Sequence, residues 1–97
     1  MKTRIYIVKD VVVNSFMMPF YAVNDGHAKR ICADLVSAGD TPPAQHPSDF
    51  DLYYCGEYDD QSGVFETFPP VFMIRFDQLG SFPVDLSYHA TDSSAEV

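Results

Sequence analysis

Residues 23–39 read VNDGHAKRICADLVSAG, and this stretch decides the fold. Asn24 or Asp25 can cap a helix start, because either side chain accepts hydrogen bonds from the free backbone N–H groups of the first turn. Ala28, Ile31, Cys32, Leu35 and Val36 recur at helical spacing and form one apolar stripe. Lys29, Arg30 and Asp34 fall outside it. Gly39 suits the left-handed residue that closes a helix. A helix with one apolar face needs a surface to cover, and the flanking sequence supplies strands.

Residues 2–9 alternate, with Thr3, Ile5, Ile7 and Lys9 on one side and Lys2, Arg4, Tyr6 and Val8 on the other. Val11 to Val13 either extend that strand beyond a bulge near Asp10 or open the next loop. Pro19 interrupts, and Phe20 to Val23 reads as a short edge strand. Residues 40–49 (DTPPAQHPSD) hold three prolines and no periodicity, which predicts a loop. Phe50 to Tyr58 is a strand with Phe50, Leu52 and Tyr54 on one face and Asp51, Tyr53, Cys55 and Glu57 on the other. Asp59 to Gly63 is a turn in which Gly63 can take a positive φ. Val64 to Phe68 returns as a hairpin partner, Pro69 and Pro70 end it, and Val71 to Phe76 forms a last strand with Phe72, Ile74 and Phe76 inward. The expectation is an α+β domain over residues 1–76: a mostly antiparallel sheet of three to five strands with one helix on one face. Residues 77–97 read as an acidic, partly disordered tail, of which the segment from Leu79 to Tyr88 keeps enough apolar residues for part of it to dock.

The chain has 97 residues and a net charge of −8, with 46% apolar residues and 14% aromatics. That is one globular domain, small enough to gain from self-association. Residues 1–76 carry six basic and ten acidic side chains, net −4, and the tail adds the other −4. Bulk charge therefore counts against a protein that grips phosphates by charge alone. The N-terminus is interrupted by Lys9 and Asp10 and is not read as a signal peptide. No apolar run approaches the ~20 residues that span a bilayer, so no membrane contact is expected. Two cysteines, Cys32 and Cys55, are too few for a disulfide framework, and the reading is two reduced thiols in a cytoplasmic protein.

Catalytic chemistry finds no starting point. His46 and Cys55 are nine apart, and the chain has no CxxC or HxxxH pair to hold zinc. DDQSGVFE lacks the alternating oxygen ligands of a calcium loop. Cys55 sits mid-strand, where an inert thiol is the better account. No nucleophile motif, phosphate loop or dinucleotide fingerprint occurs. The expectation is no enzyme and no cofactor.

The run from Phe20 to Val36 (FYAVNDGHAKRICADLV), followed by residues 46–66 (HPSDFDLYYCGEYDDQSGVFE), resembles the small nonstructural protein of gokushoviruses, single-stranded-DNA phages of the microvirus group. The positions that carry the resemblance are Phe20, Asp25, Gly26, Ala28, Arg30, Ala33, His46, Pro47, Asp49, Phe50, Leu52, Gly56, Asp59 and Gly63, within residues 3–76. The resemblance implies a protein absent from the mature virion and acting in the cytoplasm of the bacterial host. It also implies single-stranded DNA binding, or a part in the switch toward single-stranded genome synthesis and packaging. It supplies no catalytic residues.

The residues offer two ways to fill that role. With the helix on the Ile5/Ile7 face, the opposite face shows Arg4 and Tyr6; Tyr53 and Arg75 are candidates to join them, and Lys29 and Arg30 add a positive edge from the helix. Aromatics with arginines on an open sheet face are the usual equipment for stacking single strands. The acidic tail would compete with nucleic acid for that face. The alternative is that Tyr6 and Tyr53 bury against a second copy, giving a homodimer. The competing function is an interaction module that recruits host or viral replication or procapsid proteins.

Overall fold

A computed structural model of the chain describes residues 1–81. Strands β1 (Lys2–Asp10), β2 (Ser15–Phe16), β3 (Phe20–Ala22), β4 (Phe50–Asp59) and β5 (Phe65–Arg75) form one antiparallel sheet in an α+β fold. The order is β2-β1-β4-β5, and β3 pairs with the same edge of β1 as β2, further along the strand. The sheet curls like half a barrel around helix α1 (Asp25–Ala38).

Helix α1 forms where the sequence places it. The Asn24 side chain accepts from the His27 N–H at 2.9 Å, and Gly39 closes the helix with φ 83°. Ala28 and Cys32 are buried, and Leu35 and Val36 pack against the same core. Ile31 lies at the edge of the stripe and is 37% exposed.

The helix covers the other face of β1 from the one expected. Tyr6 and Val8 lie beneath it with Phe50, Leu52, Ile74, Phe76 and Leu79, and Ile5 and Ile7 point to the opposite side. The two faces of β1 are nearly equal in apolar bulk, so burial alone does not choose between them. Contacts outside β1 favour Tyr6. Its ring meets Phe20 at 5.8 Å and Tyr54 at 5.5 Å, and its hydroxyl donates to Asp25 Oδ1 at 2.6 Å, in the first turn of α1. Burying an aromatic or leucine here contributes about 1.5–3 kcal/mol apiece.

Two irregularities shape the sheet further. Ile5 pairs with Gly56 but Tyr6 pairs with Tyr54, so Cys55 is an extra residue, a β-bulge, and its thiol donates to the Ile5 carbonyl at 3.6 Å. Gly56 is required here by close approach: a Cβ would run into the Glu66 carbonyl oxygen and lie 3.0 Å from Thr67 Cα. On the other side of β4, Tyr54 pairs with Val71 and Gly56 with Thr67. Four residues of β5 thus span two of β4. Pro69 and Pro70 sit in that bulge, so β5 is one strand through the prolines rather than two. Its outer edge has no strand beyond it among the described residues, which is where proline is tolerated.

A second shift on β5 corrects another expectation. Leu52 pairs with Ile74 while Tyr53 pairs with Phe72, so Phe72 is turned to the open face and is 53% exposed. Ile74 and Phe76 are inward as expected. Val11 to Asn14 form a turn, with Asp10 accepting from the Val12 and Val13 N–H groups and Asn14 at φ 58°. The proline segment folds into a short helix α2 (Pro42–Gln45) and a 3-10 turn at Pro47–Asp49. Packing continues past Phe76 through a 3-10 turn at Phe76–Ser81 that buries Leu79. The rest of the expected tail, 82–97, lies outside the described residues.

Candidate nucleic-acid interface

The face of the sheet away from α1 is aromatic. Lys9 pairs with Phe16, Ile7 with Tyr53 and Tyr53 with Phe72, which puts these side chains on one side. Phe16 and Phe72 each meet Tyr53 edge-on, at centroid distances of 5.5 and 5.9 Å. Further along, Tyr58 meets Tyr21 at 6.0 Å and Phe65 at 4.7 Å. Phe16, Tyr21, Phe65 and Phe72 are each about half exposed. The Tyr53–Phe72 and Tyr58–Phe65 pairs join neighbouring strands and contribute roughly 0.2–1 kcal/mol each, and Phe16 and Tyr21 reach their partners across β1.

Two cations, Lys9 and Arg75, stand on this face. Lys9 Nζ lies 5.5 Å over the Phe16 ring. Arg75 Nε donates to Asp51 Oδ1 at 2.8 Å, and that hydrogen bond raises the pKa of the guanidinium above its ordinary value. Asp51 is 5% exposed beneath it. Asp49 and Asp77 also lie close enough to Arg75 to favour its charged form, so this cation is well compensated and Lys9 is not part of that cluster. Glu57 pairs with Arg4 on the helix side, and Glu57, Asp59 and Glu66 line one groove with Lys2.

The residues expected to form one binding face are split by the fold. Tyr53 and Arg75 are on the open face. Tyr6 is fully buried, and desolvation together with its bond to Asp25 raises its phenol pKa. Arg4 is on the helix side, 4.1 Å over the Tyr54 ring and 3.5 Å from Asp25. Lys29 is half-buried and Arg30 exposed, both on α1. Lys9, Phe16, Tyr21, Tyr58, Phe65 and Phe72 were not among the expected residues. Alternation from Ile7 would have found Lys9, but Phe72 needed the bulge.

Among the described residues, no group of three or more His, Cys, Asp or Glu is arranged to hold a metal ion. No helix is long and apolar enough to cross a membrane. Residues 3–79 match the family described as phage ORF5 protein. The chain belongs to that family. The match spans all five strands and α1, so the family's shared pattern and the described fold cover nearly the same residues. No curated protein and no solved structure matches the chain. Within the phage ORF5 family, then, the open face has to be read from its own chemistry.

Proposed function

We propose that this phage protein binds single-stranded DNA through the open face of its sheet, as a nonstructural component of genome replication or packaging in the cytoplasm of the host. The observation that carries the reading is the pair of half-exposed ring groups on one face of the sheet, with Lys9 standing over one of those rings. Stacking of bases on aromatic rings contributes ~1–3 kcal/mol per base and does not depend on base identity. Binding of this kind relies less on bulk charge, and the acidic balance then limits affinity rather than forbidding contact. The test is fluorescence anisotropy of a labelled oligothymidylate with the full chain across a salt series. Direct contact gives a log–log slope of about −0.7 per phosphate engaged on single strands, and few phosphates are expected. A salt-independent signal, or none, would remove the reading.

The second reading is a protein-interaction module, including a homodimer. It is favoured by β5, whose outer edge is unpaired among the described residues and whose Phe65, Phe68, Val71 and Phe72 are all 42% or more exposed. Replication or procapsid proteins are the partners it would recruit. Sedimentation velocity across a concentration series separates a self-associating chain from a monomer awaiting another partner.

A further inference from the structure

The rings of the open face fall into two groups, and we propose that one DNA strand occupies both at once, as two stacking seats bridged by a stretch of backbone. This rests on the nucleic-acid reading above and adds a minimum length and a footprint to it. The first seat is Phe16, Tyr53 and Phe72, where both ring pairs are edge-to-face, so each pair leaves a ring face uncovered by its partner. The second is Tyr21, Tyr58 and Phe65.

Tyr53 and Tyr58 pair with Ile7 and Thr3, four residues apart on β1, because the Cys55 bulge takes up one residue of β4; at ~3.3 Å per residue the seats are roughly 13 Å apart. The face between them carries Ile5, which is buried, and Gly56, which has no side chain. Nothing there offers a third ring. A strand that kept the ~3.4 Å rise of stacked nucleotides would need about four steps, hence about five nucleotides, to reach from one seat to the other. A shorter oligonucleotide has to choose one seat. Lys9, over the Phe16 ring, places a cation beside the first seat and leaves the second without one, so a phosphate is held at one end only.

Two linked seats behave as a bivalent site: the second contact is intramolecular once the first is made, so affinity rises in a step when the strand becomes long enough. The experiment is anisotropy at low salt with labelled oligothymidylates of 3, 6 and 12 nucleotides and the full chain. The comparison variants are Phe72→Ala and Phe65→Ala, each of which removes one half-exposed ring from one seat. The 6-mer is expected to bind at least about tenfold tighter than the 3-mer. Each variant is expected to weaken the 12-mer about fivefold or more, and Phe65→Ala is expected to change the 3-mer by no more than about twofold, because the first seat, with Lys9 beside it, still holds it. Phe72→Leu and Phe65→Leu keep apolar bulk, guard against a folding defect, and are expected to match their alanine counterparts. A smooth rise of affinity with length, or a variant that leaves the 12-mer unchanged, would overturn the two-seat inference while leaving single-strand binding standing. Absence of binding at every length would overturn both.

Discussion

The two faces of this sheet carry similar residue types and are organised by different physics. On the helix side, Tyr6, Leu52 and Phe76 are sealed against α1, and the one polar group among them, the Tyr6 hydroxyl, has a carboxylate partner at 2.6 Å. On the open side, Tyr53 meets Phe16 and Phe72 edge-on, and those two rings are each about half exposed. Aromatics alone therefore do not mark a binding face, and the proposal rests on rings that the fold fixes yet leaves half exposed on one side of the sheet.

The comparison can be broken most severely from the covered side. Leu52→Ala is expected to cost about 2–5 kcal/mol, a large share of the roughly 5–15 kcal/mol that holds a small domain folded, as measured by urea unfolding. Gly56→Ala comes next. The new methyl meets the Glu66 carbonyl across the bulge, so β4 and β5 must separate, at about 1–3 kcal/mol. Tyr6→Phe keeps the ring and removes only the donor to Asp25, for about 0.5–1.5 kcal/mol, and is expected to leave DNA affinity unchanged. A loss of affinity without loss of stability in that variant would return Tyr6 to the binding face.

pH probes the covered side without a substitution. Burial pushes the Cys32 thiol up to about 12 and the Cys55 thiol up as well, so neither is expected to react quickly with a disulfide reagent at pH 8 until the protein is unfolded. The folded state holds protons that the unfolded chain releases. Stability is therefore intact below pH 9 and falls progressively as pH rises toward 12, with Tyr6 acting in the same direction above pH 10. Thermal melts at pH 8 and pH 10.5 check the sign.

Much of this was legible in the sequence. The caps at Asn24 and Gly39, the Ala28/Cys32 stripe, the edge strand at Phe20 and the Gly63 turn, with φ 75°, all depend on local rules and appear where local rules put them. The β1 face was not legible, because Ile5/Ile7 and Tyr6/Val8 are near equals until a helix from elsewhere brings Asp25 to the Tyr6 hydroxyl. The Cys55 bulge and the β5 shift at Met73 have no sequence signature of their own, yet they decide which way Glu57 and Phe72 point. Of the expected interface, Tyr53 and Arg75 share the open face; Arg4 and Tyr6 are separated from them by the thickness of the sheet.

The most direct test is an amide and side-chain chemical-shift map of the full chain titrated with a 12-mer oligothymidylate. Binding at the open face is expected to shift resonances of Lys9, Phe16, Tyr53, Phe65 and Phe72 while leaving Asp25 to Ala38 unmoved. Shifts centred on α1 and Arg4, with Tyr53 and Phe72 silent, would contradict the account.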